Sequence, residues 1–134
     1  RLVIPAEVRG KVRRPDQVVA LEAALSAGWL VEETISATGE VALFAQLAAR
    51  GTLGIGERAV IAMAVSRGWG AALQDKPAGE EALRRNKAMQ LYSTEFFVRE
   101  AIGGEIITYD EADALLMEWR TRHRFRLLLT TFRP

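Results

Sequence analysis

Two carboxylates stand out by position rather than by type. Glu57 opens a segment in which Val60, Ile61 and Ala64 follow at i+3, i+4 and i+7. On a helix that spacing puts the Glu57 carboxylate at the start of the face that packs inward. Asp75 follows Trp69-Gly70-Ala71-Ala72-Leu73, an uncharged run too short for a helix between its glycines and Lys76-Pro77. That run reads as a strand buried on both faces, the kind a parallel sheet needs. Ligands of open parallel sheets gather outside the carboxyl ends of the strands, where both acids would lie. Two carboxylates converging there would hold one hard divalent cation, Mg²⁺ or Mn²⁺. Such an ion lowers the pKa of bound water and neutralises charge on a transferring phosphoryl group. Each acid also has an ordinary structural reading. Glutamate in a first turn is favoured by the helix dipole, and aspartate between a strand and a proline is common turn chemistry.

The rest of the chain offers little competing chemistry. There is no cysteine and one histidine, His123, among 134 residues. Disulfides, thiolate metal sites and cysteine nucleophiles are excluded, and a histidine-rich metal site or serine–histidine triad is disfavoured. His123, among arginines, reads as a solvated surface residue. Gly54-Ile55-Gly56 lacks the Gly-Lys-Ser/Thr of a phosphate-cradling loop and reads as a flexible entry to the helix. Ser93-Thr94 has the chemistry to orient a water or a phosphate, and Thr94 equally suits a helix N-cap. Phe96, Phe97 and Trp119 fit core or interface packing better than base stacking.

Apolar residues make up 49% and charged residues 26%, ordinary for a globular chain, and the length suits one domain over 1–134. Eighteen basic and seventeen acidic residues nearly cancel. Their distribution does not: Arg1, Arg9, Lys11, Arg13 and Arg14 crowd the start, and Arg120, Arg122, Arg124, Arg126 and Arg133 the end. Such asymmetry points to a polyanionic partner, while chain ends also tolerate solvated arginine. Apolar runs of a few residues do not span a bilayer. Arg1 opens directly onto Leu2-Val3-Ile4 without a signal peptide, so a cytoplasmic location is expected. The start without methionine suits a trimmed product.

The elements that must position these residues alternate. Arg1–Ile4 and Trp29–Glu33 read as strands, and Met89–Tyr92 as a last one. Helices are expected from Pro15, over Glu40–Arg50 with a stripe of Val41, Phe44, Leu47 and Ala48, over Glu57–Arg67, Ala78–Lys87 and Thr94–Ala101. Thr108-Tyr109-Asp110-Glu111 is a capping box, followed by Ala112, Leu115, Leu116 and Trp119 at helical spacing. The alternation predicts an α/β protein with a mostly parallel sheet.

The segment Leu53-Gly54-Ile55-Gly56-Glu57-Arg58-Ala59-Val60-Ile61-Ala62-Met63-Ala64 resembles the "L-G-x-G-E-A-E-A-I-A-L-A" helix of PIN-domain proteins. Leu73-Gln74-Asp75-Lys76 is similar to that family's "L-L-D-D-K", and Arg1–Val12 to its "V-I-I-P-x-x-V-x-x-E-V". Thr94–Leu127, with Asp110-Glu111-Ala112 and Arg124-Phe125-Arg126, resembles the tail of small prokaryotic members. The resemblance implies a three-layer α/β/α fold and metal-dependent cleavage of RNA. It also implies a toxin of a toxin–antitoxin pair, with an antitoxin protein as partner and a homodimeric state. Glu57 and Asp75 match two of the family's acids and become the expected catalytic residues and Mg²⁺ or Mn²⁺ ligands. Gln74 stands where another aspartate is usual, and Lys11 where a helix glutamate is. The family's opening strand, with its own aspartate, would precede Arg1, making 1–134 an N-terminally incomplete domain. Arg122, Arg124 and Arg126 are the expected holders of RNA phosphates. Two functions follow: a metal-dependent ribonuclease, or a PIN-like module that has lost its chemistry and binds RNA or a protein.

Overall fold

Leu2–Pro5 forms strand β1 of a computed structural model that describes residues 1–134. It pairs in parallel with β2, Leu30–Glu33, with Leu2 opposite Leu30 and Pro5 opposite Glu33. Parallel neighbours need a long crossover. Here it is α1, Ala6–Arg9, and α2, Pro15–Ala27. Pro15 opens α2 where a missing N–H costs nothing, and Gly28 stops it in the left-handed conformation at φ 80°.

Helices α3 (Thr38–Leu47), α4 (Ile55–Arg67) and α5 (Lys76–Arg85) follow, with β3 (Ala71–Ala72) between the last two. A second short sheet joins β3 to β4, Leu91–Tyr92. The Ala71 N–H donates to the Gln90 carbonyl at 2.9 Å. Helix α4 is central to residues 1–91. It buries Ala59, Ile61, Ala62, Met63 and Ala64, and packs against α1, α3, α5, β1 and β3. Three alanines along one helix let several neighbours approach closely. Leu47, Leu53, Ala71, Ala78, Ala82 and Met89 complete this core.

Arg1–Leu91 and Tyr92–Pro134 are two compact units. The second contains α6, Thr94–Gly103, and α7, Tyr109–Arg122. The capping box is present: the Thr108 hydroxyl accepts from the Glu111 N–H at 3.2 Å, and Glu111 accepts from the Thr108 N–H at 2.7 Å. Phe132, wholly buried, packs with Val98, Ala112, Leu116 and Leu127. Asp113 holds it there, accepting from the Phe132 N–H and the Thr131 hydroxyl, both at 2.7 Å. Trp119 sits edge-on against Phe125 at 5.6 Å.

The α/β class and the parallel pairing follow the sequence expectation. Several local expectations fail. Trp69–Leu73 is not a strand covered on both faces: only Ala71–Ala72 is extended, Ala72 is exposed and Trp69 is 40% exposed. Gly68, left-handed at φ 68°, turns the chain, and the Trp69 ring lies under the Arg67 guanidinium at 4.9 Å instead of entering the core. Val41 in α3 and Ala48 just after it face solvent while Glu40 is buried, because an ion pair claims that face. Ser93, not Thr94, caps α6, accepting from the Phe96 N–H at 3.2 Å.

Candidate functional site

Residues beyond β1, beyond β3 and at the start of α4 converge on one cleft. Val8 and Lys11 come from α1 and the turn after it, Gly54 and Glu57 from the start of α4, and Gln74 and Asp75 from the link into α5. The cleft has a volume of about 560 Å³.

Glu57 is the third residue of α4, and its Oε2 accepts from the Gly54 N–H at 2.8 Å. This is the carboxylate half of a capping box. The local chemistry of a helix start therefore fixes where Glu57 points. Asp75 stands at the N-cap of α5, where an aspartate ordinarily accepts an N–H of the first turn. It makes no such bond. Its carboxyl group instead lines the same cleft as Glu57, close enough to act on that group's charge. Burial, and after it the adjacent Asp75, push the Glu57 carboxyl above the usual carboxylate range, while the Gly54 N–H and the Lys11 ammonium pull it down.

Lys11 reaches this spot because residue 54 has no side chain. A Cβ at Gly54 would lie 3.2 Å from Lys11 Nζ and 3.7 Å from Glu57 Oε2. Gly56 does the same for α1, since a Cβ there would meet Val8 Cγ2 at 3.2 Å. Gly54–Gly56 is thus a packed helix start, not the flexible entry its composition suggests.

The cleft carries two carboxylates and one ammonium. No third acidic, histidine or cysteine side chain joins them in a metal-holding group. Mg²⁺ is commonly held by one or two carboxylates, with waters and phosphate oxygens filling the remaining positions. Asp75, free of its cap, and the second oxygen of Glu57 fit that partial set. Lys11 opposes it by placing positive charge where a cation would sit.

The other expected residues lie elsewhere. Arg122, Arg124 and Arg126 are exposed in the second unit, Arg124 with φ 52°. Most remaining terminal arginines have structural partners. Arg9 pairs with Glu22 and Glu32, Arg14 with Asp16, and Arg133 with Asp110 and Asp113, while Arg120 donates to the Leu129 carbonyl. His123 is not freely solvated: it ends α7, half-buried, 3.6 Å from Glu118. Phe96 and Phe97 are exposed rather than core, clustering with Tyr92 at centroid distances of 4.9 and 6.2 Å.

A second charged constellation escaped the sequence reading. Glu40, 1% exposed, accepts from Arg67 and from the Ser36 N–H at 3.1 Å. Arg67 also binds Glu33 and the Thr34 carbonyl. The guanidinium holds the Glu40 carboxyl down to about 2 against the opposing effect of burial. With every strong donor and acceptor engaged, this is a lock among β2, α3 and α4. Glu81 plays the same part on α5, buried between Arg84 and Arg85 with Arg50 at 3.6 Å. The only available signals were a glutamate in a first turn and an arginine in a last turn, which are too common to single out.

Comparison of the chain with protein-family models, with curated proteins and with solved structures finds no match.

Proposed function

We propose that the chain is a PIN-like domain of the metal-dependent ribonuclease lineage, related to the toxins of toxin–antitoxin pairs, with Glu57 and Asp75 as the ligands of one Mg²⁺ or Mn²⁺. One observation carries this reading: Asp75 leaves its helix cap unmade and faces Glu57, at a cost in like-charge repulsion that a bound cation would relieve. The ion, when bound, would lower the pKa of a coordinated water and offset charge at phosphorus. The chain's own residues do the positioning. Gly54 orients Glu57 through its N–H, and Lys11 supplies an ammonium for a non-bridging phosphate oxygen. Arg122, Arg124 and Arg126 are the proposed contacts to flanking RNA phosphates. The domain's expected setting is the cytoplasm, as a homodimer with an antitoxin protein as partner. No helix is long and apolar enough to cross a membrane.

Lys11 and the two-carboxylate donor set favour a second reading, a PIN-like module that binds RNA or a protein without cutting. The two are separated by measuring cleavage and binding on one single-stranded RNA, with Mn²⁺ and with chelator. The lineage reading predicts feeble, chelator-sensitive cleavage, abolished by Glu57→Gln or Asp75→Asn with RNA binding retained. Binding unaffected by either substitution, with no cleavage under any condition, supports the second.

A further inference from the structure

Three arginines converge on Glu81, a buried carboxylate of α5. Arg84 donates to its Oε2 from Nε at 2.9 Å and from Nη2 at 2.6 Å, and Arg85 donates to Oε1 at 3.0 Å. Arg50, which follows α3, brings its Nε within 3.6 Å of Oε2. Arg85 also reaches Gln46 of α3 at 3.4 Å. Burial pushes the Glu81 carboxyl up, but Arg84, Arg85 and Arg50 together pull it below the usual carboxylate range, so it is ionised at pH 7.

One guanidinium suffices to neutralise one carboxylate. Three positive groups against one negative leave about +2 at the cluster. The adjacent acid, Glu80, pairs with Lys76 at 3.8 Å instead. The balance is the reverse of that at Arg67, where two carboxylates close on one guanidinium. The dipole of α5 accounts for Arg84 and Arg85 in its last turn. It does not account for Arg50, which comes from another segment and adds like charge to a carboxylate already paired. The side chains of Arg84 and Arg50 are 57% and 55% exposed, and each guanidinium has five N–H donors, most of them unengaged. Such forks match phosphate bidentately, and Glu81 fixes them without filling them.

The cluster lies on the helix that starts at the cleft. Asp75 is the N-cap of α5, and Glu81 to Arg85 stand about 9–15 Å further along its axis at 1.5 Å per residue. Arg50 closely precedes Thr52, which lines the cleft. That separation is roughly three or four phosphates at the ~3.4 Å spacing of a helical strand. We propose that Arg50, Arg84 and Arg85, organised by Glu81, seat consecutive phosphates of a single-stranded RNA that continues into the Glu57–Asp75 cleft. This seat is additional to Arg122, Arg124 and Arg126. It rests on RNA being the ligand, but not on whether the cleft binds metal or cuts. An acidic protein segment carries the same charge, yet only a phosphate chain gives the neighbouring cleft a bond to act on.

The test is binding of a short single-stranded uridine oligomer to the full chain, followed by fluorescence anisotropy over a range of salt with chelator present, so that nothing is cut. Each phosphate contact on a single strand contributes ~0.7 to the slope of log K against log salt. Arg50→Gln with Arg84→Gln should lower the slope by about 1.4 and weaken binding about fivefold per arginine near 0.1 M salt. Arg85 remains in that variant to pair the buried Glu81. Arg50→Lys with Arg84→Lys, which keeps both charges, should retain the slope. Arg50→Gln alone should lower it by about 0.7 and decides the matter even where the double variant does not fold. RNA bound with an unchanged slope in the glutamine variants would overturn the seat and leave the RNA reading standing. No binding by the native chain at low salt would overturn both. Poly-glutamate that displaces the oligomer as well as unlabelled RNA does would assign the arginines to an acidic protein segment and overturn the RNA seat.

Discussion

The carboxylate of Asp75 stands at the N-cap of α5 without capping it and faces the carboxylate of Glu57, which caps α4 through the Gly54 N–H at 2.8 Å. One acid is held in place by local backbone chemistry and the other is brought to it by the fold. The arrangement spends stability through like-charge repulsion.

Replacing Asp75 by Asn should therefore stabilise the chain at pH 7. The Glu57 carboxyl is raised in the folded state, so that state binds more protons just above the ordinary carboxylate range, and stability falls as pH rises through that window. Removing the Asp75 charge leaves only burial to raise Glu57 and shrinks the window. We expect a gain on the order of 0.5 kcal/mol, the scale of partly exposed charge pairs. Urea unfolding at pH 4 to 8 measures it; a loss of stability at pH 7 would show that Asp75 supports the fold.

Lys11→Ala removes the cation that competes with a metal. Mn²⁺ binding, followed by titration calorimetry, should tighten by about tenfold, equivalent to ~1.4 kcal/mol. Weaker binding would make Lys11 part of the ligand-holding apparatus.

Glu40 and Arg67 carry the opposite sign. The Glu40 carboxyl is held at about 2 against an ordinary 4.5. Its contribution is fully present above pH 4.5 and is lost as pH falls toward 2, roughly 3 kcal/mol in all. Arg67→Met strands the buried carboxylate and should cost about 3–5 kcal/mol at pH 7. The cost should shrink to about 1–2 kcal/mol near pH 3, where the orphaned Glu40 is protonated but the wild-type pair is still ionised, and vanish only toward pH 2.

In the second unit, Phe132→Ala should cost ~3–5 kcal/mol, since the ring is wholly buried. Trp119→Ala should cost less, about 1–3 kcal/mol, because Trp119 is only half-buried beside Phe125. Thermal unfolding of both variants ranks them.

Neutralising Arg122, Arg124 and Arg126 together should weaken RNA binding and flatten its salt dependence. The slope of log K against log salt should fall by about 2, as three released counterions on a single strand require. An unchanged slope would remove these arginines from the interface.

What the sequence determined by itself was local. Pro15 and Gly28 bound α2, the Thr108–Glu111 box starts α7, and Glu57 points back to Gly54, each through chemistry confined to a few neighbouring residues. Motif likeness and position in the chain single out Glu57 and Asp75. The tertiary structure decided what lies across long loops. Arg67 finds Glu40 and Glu33 across 27 and 34 residues, and that pairing turns α3 so that Glu40 is buried and Val41 exposed. No periodicity rule contains it, because an ion pair outweighed the apolar stripe. Trp69 likewise lies outside on Arg67, and Asp75 gives up its cap. A chain encodes its caps within a turn, whereas burial and pairing depend on which distant segments pack on the same helix.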